Sequence, residues 1–348
     1  MMKKSLHVLL VGLLVGSAFI LAPASNAAQK IKVGMAYDIG GTGDKSFNDS
    51  AAAGLLRSKK SLGITAIEVS ATVGTQSERE TRLRFLLREG CNPVIAVGYR
   101  YADALKKVAT EYPNISFAII NDSSIDLLNV ASLVFSTNES AYLAGVAAAL
   151  ASKSGKVGYI GSLKPSQFDS NELGFIAGVK ATNSKSTVMV KYLSSASDFS
   201  GYSDPAEAKA IALNMISAKV DVIYAAADGS AAGTFAAASG KKVWTIGSDV
   251  DQYLMATDSQ RKNMLTSTIK RADLATYDFI ATSLRGSSVN DVLDTEKGIY
   301  GRLYTLEMGG VELSNSGGFI SKFKSKIGAA KSSIISGKIV VPTTGQAK

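Results

Sequence analysis

The segment Ile39–Asn48, IGGTGDKSFN, follows an apolar run and combines three glycines with a lysine and a serine. This composition suggests a phosphate-binding loop, but the spacing excludes the two common forms. A P-loop needs glycine directly before the lysine, where Asp44 stands, and the GxGxxG pattern needs glycine where Ser46 stands. We therefore predict a rim loop whose glycines let the backbone approach a ligand, with Ser46 capping a helix that begins at Phe47.

Histidine and cysteine chemistry is sparse in this chain. Its single histidine is His7, close to the N-terminus, and its single cysteine, Cys91, precedes an apolar run and is expected to be a buried small hydrophobe. Beyond His7 there is no histidine to act as a general base, complete a catalytic triad or ligate a metal. We expect no enzyme, no cofactor and no metal site, although a carboxylate-bound metal would keep hydrolysis of a nucleoside open.

The N-terminal residues have the layout of a secretory signal. Lys3 and Lys4 precede the apolar stretch Leu9–Leu21, and small residues lead up to Ala27, where we predict cleavage. The apolar stretch is short for a membrane span, so we expect an exported protein, periplasmic or associated with the cell surface. No cysteine follows the apolar stretch closely, so we do not expect a lipid-modified cysteine.

Composition argues against a nucleic-acid partner. The formal net charge is +9, but the basic residues are scattered and aromatic residues make up only 7% of the chain. A scattered basic surface is typical of solvated side chains rather than of a nucleic-acid interface. The 348 residues, 46% of them hydrophobic, are enough for two domains.

From Lys30 onward, short apolar runs rich in β-branched residues alternate with longer amphipathic stretches. This alternation predicts an α/β fold with parallel sheets covered by helices on both faces. The pattern restarts near residue 136, which predicts two similar doubly wound halves, and the tail over 298–313 suggests a β-hairpin. In such sheets ligands bind beyond the carboxyl ends of the strands.

The strand-end rule selects a set of candidate ligand-binding residues, most of them acidic, aromatic or glycine. The set consists of Asp38, Ser46, Phe47, Asn48, Gly98, Asp122, Phe199, Tyr202, Gly229, Asp249 and Lys270.

The charges in this set favour an uncharged ligand. Three carboxylates with Lys270 as the only cation would repel a phosphate, whereas carboxylates accept strong hydrogen bonds from hydroxyl and N–H groups. Aromatic rings can stack a planar base. Each aspartate could instead form a turn or a helix cap, and Lys270 could pair with Asp273 on a helix surface.

Five segments of the chain resemble those of a known family: GMAYDIGGTGDKSFNDSAAAGL (Gly34–Leu55), ESAYLAGVAAALAS (Glu139–Ser152), GFIAGVKA (Gly174–Ala181), IGSDVDQ (Ile246–Gln252) and TSTIKRADLATYD (Thr266–Asp278). The family that they resemble is the basic membrane protein family, the substrate-binding proteins of ABC-type importers that include purine nucleoside receptors. The segments recur in order and the resemblance covers about residues 31 to 313.

The resemblance implies a type I periplasmic-binding-protein fold with a ligand cleft between two lobes. The division expected is 1–27 for the signal, 28–136 plus about 253–285 for the N-terminal lobe, and 137–252 plus about 286–348 for the C-terminal lobe. The implied partners are a small-molecule nucleoside and the permease subunits of a transporter, and we expect a monomer.

The resemblance also implies roles for single residues. Asp38 and the Phe47–Asn48 pair contact the ligand, Asp122 faces the base, and Asp249 and Lys270 hold the ribose hydroxyls. Either Phe199 or Tyr202 stacks on the base. The chain departs from the family in lacking the usual lipid-modified cysteine and in carrying Asp228 where glycine is common. The alternative function is a binding protein or sensor for another polyhydroxylated solute such as a sugar.

Overall fold

The structure is a computed structural model that describes residues 31–44, 46–164, 169–286 and 291–343. The expected signal segment, residues 1–27, and Lys45 of the glycine-rich loop lie outside the described residues. Strands and helices alternate along most of this part of the chain, as the pattern of apolar runs predicts.

The strands are β1 (Lys32–Tyr37), β2 (Thr65–Ser70), β3 (Val94–Val97), β4 (Phe117–Ile120), β5 (Val130–Phe135), β6 (Lys156–Leu163), β7 (Thr187–Ser194), β8 (Val222–Ala226), β9 (Trp244–Gly247), β10 (Met264–Lys270), β11 (Asp291–Asp294), β12 (Ile299–Tyr304) and β13 (Val311–Leu313). The α-helices are α1 (Phe47–Leu62), α2 (Gln76–Arg88), α3 (Ala102–Glu111), α4 (Thr137–Ala151), α5 (Ser170–Thr182), α6 (Pro205–Ser217), α7 (Ala231–Ala238), α8 (Asp258–Arg261), α9 (Ala272–Leu284) and α10 (Lys324–Ile335).

Two sheets with the same internal order organise the fold. The first runs β11-β12-β5-β4-β3-β1-β2 and the second runs β13-β10-β9-β8-β6-β7. Their strands are parallel except β11 and β13, which pair antiparallel with their neighbours. Each sheet reverses its strand order beside its first strand, at β1 and at β6, and such switch points open a crevice at the carboxyl ends of the strands.

Apolar residues on both faces of each sheet build the cores, as expected for parallel sheets covered by helices. All four residues of β3 and of β4 are buried. In the second lobe the alanine-rich α4 packs closely against α5. A Cβ on Gly145 would lie 2.2 Å from the carbonyl oxygen of Phe175, and one on Gly178 would lie 2.0 Å from that of Tyr142. Only glycine permits this approach.

The membership of the two sheets differs from the expected division. Strand β10, within the 253–285 stretch assigned to the first lobe, belongs to the second sheet, whereas β11 and β12 belong to the first. Helix α9 does return to the first lobe, where Ala275 and Phe279 join its core. The described chain therefore crosses between lobes after β5, after β10 and after β12.

The predicted hairpin over 298–313 is wrong. Strand β12 pairs in parallel with β5 in the first sheet, while β13 pairs antiparallel with β10 in the second. The residues between them form one of the interlobe crossings, where the backbone N–H of Leu306 donates to the Glu139 carboxylate at 2.8 Å. In the part of the chain that the structure describes, no helix is long and apolar enough to cross a membrane.

Candidate ligand-binding site

The switch point of the first sheet brings together Asp38, Phe47 and Gly98. Asp38 directly follows β1, and Gly98 directly follows the neighbouring β3. A Cβ on Gly98 would lie 3.8 Å from the Asp38 carboxylate and 4.0 Å from the edge of the Phe47 ring. Gly98 also has a φ of 103°, so both its conformation and its lack of a side chain keep this corner open.

The glycine-rich loop ends in a helix cap that differs from the one predicted. The carboxylate of Asp44, not the hydroxyl of Ser46, accepts the backbone N–H groups of Ser46, Asn48 and Asp49 at 2.8, 2.9 and 3.1 Å. A carboxylate stabilises a helix N-terminus better than a hydroxyl because it also opposes the helix dipole. Asp44, the residue that breaks the phosphate-loop pattern, therefore caps the N-terminus of α1.

Two buried polar atoms, of Ser46 and Asn48, lie at the start of this helix. The Ser46 hydroxyl and the Asn48 side-chain oxygen are buried and have no hydrogen-bond partner among the described residues. Asn48 is only 5% exposed. An unpaired buried oxygen is costly, so these two atoms are suited to a ligand that supplies hydrogen-bond donors.

Two arginines that the sequence reasoning missed lie at Asp38. Arg79, on α2 and 3% exposed, donates to one carboxylate oxygen of Asp38 from Nε at 3.2 Å and from Nη2 at 2.7 Å. The Nε of Arg100 lies 4.0 Å from the other carboxylate oxygen. The expectation that Lys270 is the only cation among the candidate carboxylates is therefore wrong.

A signal for Arg79 was present in the sequence. Its position four residues before Leu83 and seven before Leu86 places it on the buried face of α2, where a charged side chain needs a partner. Arg100 lies in the short 3-10 turn Tyr99–Tyr101 directly after Gly98, so the strand-end rule pointed to its segment although Arg100 itself was not selected.

In the second lobe, Asp249 and Lys270 form an ion pair at the ends of adjacent strands. The Lys270 Nζ lies 3.0 Å from the Asp249 carboxylate, and both side chains are mostly buried. The same Nζ lies 5.2 Å from the centre of the Phe47 ring, so this pair faces the first lobe. Pairing of Lys270 with Asp273 is not observed, because Arg271 makes two 2.8 Å hydrogen bonds to Asp273.

Asp228 adds a second carboxyl group to this side of the cleft. It follows β8, and burial, together with the nearby charge of Asp249, raises its pKa.

Asn121, Asp228 and Asp249 all have positive φ angles, of 69°, 46° and 67°, and each stands just beyond a strand. Such backbone conformations are costly for residues other than glycine and cluster where the structure must aim side chains at a ligand. The neighbouring Gly229 packs against the backbone of Tyr202, whose carbonyl oxygen would lie 3.2 Å from an added Cβ.

The two candidate stacking residues lie on one short 3-10 helix, Phe199–Tyr202, beyond β7. Their rings are nearly parallel, with centroids 6.4 Å apart. The guanidinium of Arg100 lies 4.0 Å from the centre of the Phe199 ring, and the Tyr99 hydroxyl lies 3.2 Å from that of Tyr202. The turn after β3 in the first lobe therefore contacts the segment Phe199–Tyr202 of the second lobe, which we call the aromatic loop.

Asp122 stands apart from the other candidates. It lies just beyond β4, the neighbour of β3, but its carboxylate accepts hydrogen bonds from the backbone and hydroxyl groups of Ser124 at 2.8 and 2.6 Å. Within the described residues, no ion pair or hydrogen bond joins it to the rest of the set.

The part of the chain that the structure describes contains no cluster of three potential metal ligands. The arrangement is an interlobe cleft with charged pairs, aromatic rings and unpaired acceptors.

The chain is similar to known substrate-binding proteins along most of its length. The family model Bmp, described as ABC transporter substrate-binding protein PnrA-like, matches residues 30–345. The chain is 33% identical to the CD4+ T-cell-stimulating antigen of Listeria monocytogenes over 98% of its own length and 99% of the relative's. It is 31% identical to the ABC transporter nucleoside-binding protein BmpA of Lactococcus lactis over 90% and 89% of the two chains.

The fold is also similar to that of a solved solute-binding protein. An ABC transporter solute-binding protein from Aeropyrum pernix superimposes with a TM-score of 0.70 at 24% identity, covering 90% of this chain and 94% of the other. At this level of identity the similarity concerns the fold alone.

Proposed function

The chain belongs to the Bmp family of PnrA-like ABC transporter substrate-binding proteins, and on that premise we propose that it captures a purine nucleoside between its lobes and delivers it to a membrane permease. A substrate-binding protein of this kind acts outside the cytoplasm, binds a small molecule without transforming it, and works with permease subunits. The name of the Lactococcus lactis relative supports a nucleoside as the ligand.

The observation that carries the proposal is that the Asp249–Lys270 pair lies across the cleft from Phe47, with Lys270 Nζ 5.2 Å from the ring centre. A base stacked on Phe47 has its ribose within reach of this pair. The carboxylate accepts bonds from the ribose hydroxyls and the ammonium donates to their oxygens.

The remaining polar groups fit the edge of a base. The unpaired side-chain oxygen of Asn48 and the carboxylate of Asp38 accept N–H groups, and Arg79 holds Asp38 in place. Asp122 joins them only when a ligand N–H replaces its hydrogen bonds from Ser124. Phe199 or Tyr202 covers the base from the second lobe. We propose that the protein acts as a monomer that closes around the nucleoside by hinge motion at the three interlobe crossings.

Calorimetric titration of the purified protein with inosine, guanosine, adenosine, uridine, free hypoxanthine, ribose and glucose tests the proposal. A nucleoside must bind more tightly than its free base or sugar. Lys270→Met should weaken nucleoside binding at least about tenfold, because it removes a charged hydrogen-bond donor, and should affect hypoxanthine little. Lys59→Met is the matched control, since Lys59 also forms an ion pair, 2.7 Å from Glu68, but on the outer surface of the first lobe. Equal loss in the two variants, or no nucleoside binding at all, would refute the proposal.

A sugar is the second candidate ligand, favoured by the charged pairs Arg79–Asp38 and Asp249–Lys270, which suit vicinal hydroxyl groups. Phe47→Ala separates the two candidates. Loss of the stacking ring should weaken nucleoside binding by about 1–3 kcal/mol, as base–aromatic stacking does elsewhere. Unchanged affinity in that variant, together with tight binding of a free sugar, would favour the sugar.

A further inference from the structure

Arg100 reaches from the first lobe onto the aromatic loop of the second. Its guanidinium carbon lies 4.0 Å from the centre of the Phe199 ring and 5.3 Å from that of Tyr202. Its side chain is 19% exposed, so the charge is largely withdrawn from solvent inside the cleft. A guanidinium in this place covers one face of the ring that would otherwise be available to a base.

The guanidinium of Arg100 lies over aromatic rings but has no close polar partner among the described residues. Arg79 already occupies one oxygen of Asp38 at 2.7 Å, whereas Arg100 approaches the other oxygen only to 4.0 Å. In the described ranges the side chain of Arg100 donates no hydrogen bond. A guanidinium has five N–H donors and no acceptor, so these donors are available to a ligand in the cleft.

We propose that Arg100 is a specificity-determining residue that makes the site prefer 6-oxopurine nucleosides, such as inosine and guanosine, over adenosine; this rests on the proposed nucleoside function. Arg100 and Phe47 both lie on the first-lobe side of the cleft, beside Asp38 and Gly98, so the edge of a base stacked on Phe47 comes within reach of the guanidinium. The oxygen at position 6 and the nitrogen at position 7 accept both arms of a guanidinium, the usual pairing of arginine with such a base. Adenosine places an amino donor against these donors and leaves a buried N–H unpaired.

Titration calorimetry of inosine and adenosine tests the inference in the intact protein, in Arg100→Met and in Arg100→Lys. The unmodified protein should bind inosine at least about tenfold more tightly than adenosine. Arg100→Met keeps the length of the side chain but removes its donors, so the ratio should fall to below about threefold through loss of inosine affinity. Arg100→Lys keeps the charge without the planar fork and should also lower the ratio.

The matched control is Arg57→Met, because Arg57 also lies over an aromatic ring, 3.9 Å from the centre of Tyr277, but on the outer side of α1. It should leave the ratio unchanged. Equal affinity of the unmodified protein for both nucleosides, or a ratio that survives both substitutions at Arg100, would overturn the inference while leaving nucleoside capture intact. Absence of binding to either nucleoside would instead remove the proposed function and this inference with it.

Discussion

Asp228→Asn is expected to make the protein more stable at pH 8 and to leave its stability unchanged at pH 4. Burial, and then the charge of Asp249, raise the pKa of Asp228 from its ordinary 3.8 to about 7, with a smaller contribution from Asp44. Lys270 and a hydrogen bond with Ser162 act in the opposite direction. Asparagine suits the position, since it keeps the shape of the side chain and tolerates the φ of 46°.

The sign follows from proton binding. Since the folded pKa of Asp228 lies above the unfolded one, the folded state binds more protons between about pH 4 and 7, and stability falls as the pH rises through that window. The whole shift corresponds to about 4 kcal/mol at 1.36 kcal/mol per pKa unit. Asp228 is only partly buried by area, so solvent screens part of this effect, and its charge interacts with those of Asp249 and Lys270. We therefore expect Asp228→Asn to raise the free energy of unfolding by about 2 kcal/mol at pH 8.

Urea unfolding from pH 4 to 8 without ligand, followed by fluorescence of Trp244, the only tryptophan of the chain, measures the difference. Glu139, whose pKa burial also raises, contributes equally to both proteins. Asp258→Asn, at a side chain that is 94% exposed, serves as the control and should leave the pH dependence unchanged. A stability difference between Asp228→Asn and the unmodified protein that is independent of pH, or a loss of stability at pH 8, would refute the reasoning.

Four further substitutions test how the site and its lobes are held. Asp44→Ala should lower the free energy of unfolding by about 1–2 kcal/mol through loss of the α1 cap, whereas Ser46→Ala should cost less than about 0.5 kcal/mol, both measured by urea unfolding. Gly178→Ala should lower the melting temperature by several degrees, because the added Cβ meets a carbonyl oxygen of α4 at 2.0 Å. Arg79→Met should destabilise the protein by about 3–5 kcal/mol, since it leaves Asp38 without its buried partner, and calorimetric unfolding measures this loss.

Each of these predictions has a contrary result. Equal effects of the substitutions at Asp44 and Ser46 would mean that the carboxylate does not cap α1. An unchanged melting temperature for Gly178→Ala would mean that α4 and α5 can separate without cost. Full stability of Arg79→Met would mean that Asp38 is adequately solvated without the guanidinium.

The alternation of short apolar and longer amphipathic stretches was enough to predict the α/β class, because it reports locally which residues face a core. The rule that ligands lie at strand ends selected Asp38, Asp249 and Lys270, and the structure places these residues at the carboxyl ends of β1, β9 and β10. Their contact with a ligand remains a prediction. Local pattern was also enough to reject a phosphate loop, since Asp44 interrupts the required spacing.

Sheet membership and long-range pairing could not be determined in this way. The residue patterns of β10 and β12 are those of strands, but neither pattern indicates which of the two sheets its strand joins. The assignment of the tail as a hairpin failed for this reason, because β12 and β13 pair with strands of different sheets and not with each other.

The sequence by itself determined the fold class, the lack of histidine chemistry beyond His7 and the strand ends from which a ligand could be held. Only the tertiary structure decided the electrostatics of the cleft. Arg79 and Arg100 reach Asp38 from separate elements, and Arg100 continues to Phe199 in the other lobe. Hydropathy and spacing describe the surroundings of a residue along its own element, whereas a charge is neutralised by whichever side chain the packed lobes bring within a few ångströms.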